Sequence, residues 1–378
     1  MKLEAKMTII DHFKDMEDPR VERTKAHLLL DIIVITICAV ICGAEGWVSI
    51  AKYGEAKHEW LKKFLELPNG IPSHDTFARV LARIDPEQFQ RSFLNWIQSI
   101  ERVTEKEVVA IDGKTLRRSY DTKTEKSAIH MISAWANSSG LVLGQRKVDE
   151  KSNEITAIPE LLTVLELKGC IVTIDAMGCQ KEIVSQIKEK EADYVIAVKK
   201  NQPTLYEKIK NTFTQAIANP EEFELSDYKT EEFSHGREEI RKYYMLTNVN
   251  KLVDPEGKWK NLASVGMVCS ERIINGKKSR ETRYYISSLS LSAEELAGAI
   301  RNHWSVENSC HWILDVAFNE DSCRIRKDNA PQNLATVRHI ALNLLKQEKT
   351  QKLGIKNKRL KAGWDDRYLE SVLGIVLE

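Results

Sequence analysis

The chain has 378 residues, with 56 Lys and Arg against 55 Asp and Glu and 42% hydrophobic residues. That content excludes a disordered chain and fits a globular protein of roughly two or three domains. The net charge of +1 conceals two opposed runs: Lys346 to Lys361 holds seven basic residues and one acid, Glu348, while Glu221 to Glu239 holds eight acids against Lys229 and Arg237. A basic run fits a nucleic-acid partner or a solvated charged face. Seven cysteines (38, 42, 170, 179, 269, 310, 323) form no CxxC pair, which reads as buried thiols in a reducing compartment. The apolar stretch Leu28 to Cys42 has 15 residues and includes Asp31, short of the roughly 20 that span a bilayer. A buried core helix is expected there, and with no signal-peptide pattern at Met1 to Glu4 the expected location is the cytoplasm, with no membrane partner.

Residues 1 to 103 read as an all-helical N-terminal domain, with apolar periodicity at Leu28 to Ile41, at Trp60, Leu61, Phe64 and Leu65, and at Phe89, Phe93, Trp96 and Ile97. Ser73 or Asp75 is placed to cap a helix through Phe77, Val80, Leu81 and Ile84, with Arg79 and Arg83 one turn apart on its outer face. That helix reads either as the second half of a DNA-contacting helix-turn-helix or as an ordinary amphipathic pair. From 104 to 200 the texture becomes α/β. Strands are expected at Val108 to Asp112, Ala128 to Trp135, Leu141 to Val148, Cys170 to Asp175 and Tyr194 to Lys199, with helices at Ala157 to Leu167 and Gln180 to Lys190. The order β-β-β-α-β-α-β predicts an RNase H-like mixed sheet with helices on both faces. Residues 201 to 291 read as an acidic, helix-poor stretch followed by a β insertion: a strand at Glu239 to Val249 and a hairpin at Ala263 to Ile274 and Thr282 to Leu289, turned by Asn275-Gly276. Ser292 and Glu295 form a capping box that opens the last core helices, 292 to 345, and a basic C-terminal tail, 346 to 378, follows.

Asp112 and Asp175 each end an apolar strand, and Glu307 lies on the helix after the insertion. At α-helical spacing His303, Trp304 and His311 share its side. Singly, Asp112-Gly113 reads as a turn and Asp175 as a helix cap. Jointly, three carboxylates on two strand ends and a helix point to two hard cations, Mg²⁺ or Mn²⁺, held about 3.5 to 4 Å apart for phosphoryl transfer. His303-x3-Glu307-x3-His311 also admits zinc, although it is not HExxH. We read His303, Trp304, Asn308 and His311 as binders of phosphate or flipped bases, and Lys199-Lys200-Asn201-Gln202 and His235-Gly236-Arg237 as phosphate contacts. Lys114 and Arg117, just past Asp112, are placed to meet DNA.

Seven ordered motifs carry a resemblance across nearly the whole chain: Ile71 to Phe77, Ala110 to Lys114, Lys151 to Ile155, Thr173 to Gly178, Lys199 to Gln202, His235 to Arg237 and His303 to Asn308. With them the chain resembles the H-repeat-associated group of bacterial insertion-sequence transposases, of the DDE class. The resemblance implies that Asp112, Asp175 and Glu307 are the catalytic, metal-binding triad. It also implies that the β insertion is the module splitting the core, and that the partners are double-stranded DNA (terminal inverted repeats and target), with a homodimer in the DNA complex. The function it implies is cleavage of element ends and joining of the freed 3′-OH to target. A nuclease without strand joining and a non-catalytic DNA-binding remnant are the rivals. Related cut-and-paste enzymes surround the third acid with Tyr-x2-Arg-x3-Glu-x6-Lys, whereas the matching positions here are Ile300, His303, Glu307 and Leu314. Trp259, in the insertion, is either an aromatic for a flipped base or a core residue.

Overall fold

The computed structural model describes residues 8–101, 104–120, 127–149, 152–234, 237–274 and 276–375. Five helices come first: α1 (Leu29–Ile41), α2 (Trp47–Ala56), α3 (His58–Leu61), α4 (His74–Arg83) and α5 (Pro86–Ile100). Then follow β1 (Val108–Thr115), β2 (His130–Ala136), β3 (Leu141–Val148), α6 (Glu154–Val164), β4 (Ile171–Ile174), α7 (Lys181–Glu189) and β5 (Asp193–Val198). The middle holds α8 (Pro203–Ala218), β6 (Leu225–Ser234), β7 (Arg237–Thr247), α9 (Asn250–Val253), β8 (Ser264–Ile274) and β9 (Lys277–Ser287). The chain ends in α10 (Ala293–Val306), a π-helical turn (Glu307–His311), α11 (Trp312–Phe318), α12 (Ala330–Gln347), α13 (Ile355–Trp364) and α14 (Asp366–Leu373).

Helix α1 is apolar all round because it is buried all round. It packs against α2, α4, α12 and α13, and Ile32, Ile33, Ile35, Cys38 and Ile41 have no exposed surface. Its one acid, Asp31, is buried too and accepts a hydrogen bond from the Leu67 backbone N–H at 3.0 Å, pinning the loop before α4. Among the described residues no helix is long and apolar enough to cross a membrane. The amino-terminal helices share one core with the later ones, since α4 and α5 also pack on α12 and α5 reaches β3.

Among the described residues nine strands form one sheet in the order β3-β2-β1-β4-β5-β9-β8-β7-β6. β1, β4 and β5 run parallel, and every other neighbouring pair is antiparallel. The β-β-β-α-β-α-β order expected from the sequence is the one observed. α10 and α12 lie on one face: Trp135 Nε1 donates to Ser305 Oγ at 3.1 Å, and Asn343 brackets the Val142 backbone from α12. The other face carries α5 and α6, whose Leu94 and Leu161 close over Gly144 so tightly that an added Cβ would lie 3.2 and 3.4 Å from them.

Two expectations need correction. The stretch after Lys200 is not helix-poor, for α8 occupies sixteen residues of it. Pro203 at its first turn starts the helix, and Leu205, Ile209, Phe213 and Ala216 bury one face at a spacing of three to four. The β insertion is also not a module set apart. A strand that the sequence reading omitted, β6, pairs with β7, and β9 pairs with β5, so the insertion adds four strands to the five of the core sheet and continues its α10-facing surface.

Candidate active site

The parallel register of β1 and β4 sets Ile111 opposite Ile174, so Asp112 and Asp175, one residue further, lie side by side where that pairing ends; β4 stops there, but β1, expected to end at Asp112, continues against β2 to Thr115. Period-2 alternation points Asp112 to the α10 face, opposite Ser133 on β2. Glu307 follows the last residue of α10. The three carboxylates line one cavity of about 220 Å³ together with Lys199, Arg283, His303 and Trp304.

Helix geometry changes at the third acid. Glu307 opens the π-helical turn, its carbonyl accepting from the Trp312 N–H five residues on. His311, four residues after Glu307, is buried with Nδ1 3.5 Å from Asp112 Oδ2, beside an acid that shares the cavity of Glu307. Turns of this kind recur at functional sites. His303 Nδ1 lies 3.1 Å from Thr173 Oγ1 on β4.

The electrostatics are those of uncompensated acids. Burial pushes the Asp112 carboxyl up to about 7; the Gly113 N–H opposes this, and the charges of Glu307, Glu154 and Asp175 add to it. Burial also raises Glu307, with Arg283 acting against it. Both imidazoles are held neutral by burial, His303 below its ordinary value and His311 down to about 4. Among the described residues, no three His, Cys, Asp or Glu side chains stand close enough to enclose an ion.

Against known proteins, the family model described as "Transposase DDE domain" matches residues 104–344, and one described as "DDE_Tnp_1-associated" matches residues 10–97. The chain belongs to the DDE transposase family. It is 46% identical over 370 residues to the H repeat-associated protein YhhI of Escherichia coli strain K12, itself provisionally named a transposase, covering 97% of each chain. It is 44% identical over 75 residues to the inactive transposase YbfQ of the same strain, covering 20% of this chain and 89% of YbfQ. A cryo-EM structure of the piggyBac transposase synaptic complex with hairpin DNA is 11% identical with a TM-score of 0.44, covering 97% of this chain and 80% of that one.

Several residues expected to contact DNA in this transposase chain have other work. Lys114 is not free: its Nζ sits among Asp315, Glu320 (3.3 Å) and Asp321 (3.4 Å) and is nearly buried. Asn201 and Gln202, expected to contact phosphate, are engaged with the chain itself. Their amides donate to Ala176 O (2.7 Å) and Cys179 O (2.8 Å), holding the loop that follows Asp175, whose Oδ1 accepts from the Met177 N–H at 2.8 Å. The basic tail is largely folded in. Lys358 is buried against Leu345 O (2.9 Å) and Glu348, and Arg359 donates to Val40 O (2.7 Å) and Ala317 O. α14 is tied to α3 and its flank through Lys57 to Asp366 (2.6 Å) and Trp60 to Glu370 (2.8 Å). Lys346 lies over the Trp135 ring and Lys361 over Tyr368, which leaves Lys349, Lys352 and Lys356 exposed. Trp259 is a core residue, 5% exposed.

Other expected residues do face solvent or the cavity. Arg79 and Arg83 are on the outer face of α4, whose inner face buries Phe77, Val80 and Leu81. Lys199 lines the acid cavity beside exposed Lys200, and Arg117 is exposed and 3.3 Å from Asp321. Trp304 and Asn308 are exposed at the cavity rim, and Arg237 is half exposed with Glu239 as its partner. His235 lies outside the described residues. Leu314, at the position of the missing lysine, is fully buried.

The sequence reading missed three groups. Arg283 stands 5.6 Å over the Trp304 ring between the strands and α10. Glu154 and His130 meet at 2.6 Å directly over Gly113, where a Cβ would fall 2.2 Å from Glu154 Oε1. Gly113 is thus required by close approach, not by a turn, and Glu154, inside a quoted motif, is one of the three charges felt by Asp112. The third group is Arg241 and Arg272, which face the same side as Arg237. Their signal was alternation in β7 and β8, hidden because the acidic run masks its basic face.

Proposed function

We propose that this chain is a metal-dependent DNA transposase of RNase H-like architecture that cleaves the ends of its element and joins the freed 3′-OH to target DNA, with Asp112, Asp175 and Glu307 as its catalytic acids. The observation that carries this reading is the gathering of three acids, from the neighbouring strands β1 and β4 and from the end of α10, around one cavity, with only the neutral His311 ring beside Asp112 among the described residues. The order β3-β2-β1-β4-β5, with β1, β4 and β5 parallel, supports the RNase H-like assignment.

The donor set fits a hard divalent cation: it is all carboxylate oxygen, and burial together with like charge lifts Asp112 to about 7, a cost that a cation relieves. Mg²⁺ or Mn²⁺ held by these three residues would supply activation of the attacking oxygen and stabilisation of the leaving one. The residues of the chain itself do the rest. Asn201 and Gln202 fix the loop of Asp175, and Thr173 orients His303 with a neutral ring toward the cavity. Lys199, just past β5, and Arg283, on β9, bring positive charge to the substrate phosphate from the strands next to those of the acids.

The test is a gel assay with labelled element-end DNA and Mn²⁺. Cleaved and joined products are expected from the wild type, and none from Asp112→Asn, Asp175→Asn or Glu307→Gln, each of which still binds the DNA. Cleavage without joining makes the chain a nuclease. Binding without any cleavage makes it a DNA-binding remnant, the condition its inactive relative brings to mind.

A further inference from the structure

A second cavity, of about 550 Å³, opens beside the first and shares Glu307, Trp304, Ile300, Arg283 and Tyr285 with it. Its floor is the α10-facing surface of the widened sheet. There β7 presents Arg237, Glu239 and Arg241 at every second residue, and β8 presents Arg272 directly opposite Glu239. Glu239 is 2% exposed and gathers three guanidiniums. Arg241 donates to its Oε1 through Nε at 3.0 Å and Nη2 at 2.8 Å, Arg272 reaches Oε1 at 3.2 Å, and Arg237 reaches Oε2 at 2.8 Å. Burial raises the Glu239 carboxyl, yet Arg241 and Arg272 outweigh it and hold the group below its ordinary range.

A single bidentate arginine already satisfies a carboxylate. The other two leave the cluster with two surplus positive charges, and the side chains of Arg237 and Arg272 remain 44% and 45% exposed to the cavity. Buried Glu239 therefore acts as a frame that spaces planar donors, a group suited to phosphate geometry. Resting on the transposase reading above, we propose that this arginine cluster is a backbone-phosphate site for the DNA strand that continues out of the acid cavity. The strand passes Trp304 and Arg283, which are stacked at 5.6 Å, and its next phosphates meet Arg237 and Arg272. The ligand class is a polynucleotide backbone, read without regard to sequence.

The test uses the full chain and a fluorescein-labelled 20-base-pair duplex of arbitrary sequence, with affinity measured by anisotropy across salt concentrations without divalent metal. Each phosphate contact contributes about 0.9 to the slope of log affinity against log salt. Arg237→Gln with Arg272→Gln is expected to lower that slope by roughly 1.5 to 2 and the affinity about tenfold at physiological salt. The same charge change at exposed Lys62 and Lys63 on the helical segment is expected to leave the slope nearly unchanged. Arg241 still holds Glu239 in the double variant; if that variant nevertheless unfolds on heating well before the wild type, Arg272→Gln alone is expected to lower the slope by about 0.9. An unchanged slope in a folded variant, while the wild type nicks plasmid DNA with Mn²⁺, overturns this site and leaves the transposase reading standing. A slope lowered equally by the Lys62 and Lys63 control overturns it as well. A wild type that neither binds duplex nor nicks plasmid overturns both.

Discussion

Asp112 and Lys114 lie two residues apart on one face of β1, and each is surrounded by acids. Around Lys114 the charges close: Asp315, Glu320 and Asp321 share its ammonium, and Arg338 stands 3.4 Å from Glu320 on the other side. Burial raises the Glu320 carboxyl, but Arg338 and Lys114 outweigh it and keep it below its ordinary value. Around Asp112 the charges do not close: burial first, and then the neighbouring acids, push the carboxyl up to about 7, with no ammonium or guanidinium among the described residues holding it down. A neutralised buried cluster is scaffold, because nothing further is gained by adding a ligand. An acid cluster left without a cation stores unfavourable energy that only a cation or a proton removes. The contrast separates framework from site without reference to any relative.

The largest effect that sharpens this contrast is on folding. Arg338→Met leaves buried Glu320 without its main partner, which should destabilise the protein by roughly 3 to 5 kcal/mol. Asp112→Asn removes a charge the fold disfavours and should cost nothing, or even stabilise, at pH 8. Chemical denaturation of both variants checks this; equal losses would erase the distinction.

Next comes the response to pH and metal. The Asp112 carboxyl is raised in the folded state, so the native protein holds a proton there more readily than the unfolded chain does. This group's relative contribution to stability is fully present below about pH 4, the ordinary carboxyl range, and is lost as pH rises through about 7. A cation must displace that proton at low pH. Stabilisation by Mn²⁺ in thermal unfolding should therefore be small at pH 5.5, larger at pH 8, and absent at both in Asp112→Asn. A shift that persists in the variant would place the cation elsewhere.

Much of this contrast was legible in sequence, and the rest was not, for reasons that can be stated. Asp175 was visible because a short apolar run ending in Asp marks the carboxyl edge of a sheet, whereas the same signal at Asp112 marked only the end of the buried part of β1, which continues to Thr115; the capping box at Ser292 and Glu295 placed the start of α10, as observed. Distance in sequence hid the partners. Lys114 meets acids about 200 positions away, so one-dimensional reading took it for a DNA contact. The same blindness turned Lys358 and Arg359 into a solvated basic tail, although Arg359 reaches back to Val40 in α1. The π-helical turn was invisible because Glu307 to His311 carries no Gly or Pro to mark it.

A smaller effect concerns the loop that carries Asp175. Asn201→Ala removes one amide that donates to Ala176 O at 2.7 Å, a loss of about 1 kcal/mol in stability. Because the same loop positions an acid of the proposed site, cleavage should fall at least tenfold, well beyond what unfolding accounts for, and Asn201→Gln should not restore it, since the added methylene misplaces the amide. Cleavage that tracks stability alone would make Asn201 mere scaffold, on the Lys114 side of the comparison.

The smallest expected effect lies in the carboxyl-terminal segment, where the contrast between closed and open charge is repeated. Lys358 is closed by Glu348 and two carbonyls, whereas Lys349, Lys352 and Lys356 are exposed. Replacing the three exposed lysines by Ala should leave the unfolding curve within about 0.5 kcal/mol of the wild type. It should lower the slope of log DNA affinity against log salt by up to roughly 3, about 0.9 for each phosphate no longer neutralised, and equally for any duplex. Lys358→Met should do the opposite, destabilising the fold through the uncompensated Glu348 while leaving the salt slope of the folded fraction alone. A salt slope unmoved by the triple change would confine DNA binding to the cavities and the α4 face, and would make the whole segment a clamp on α1 and α12.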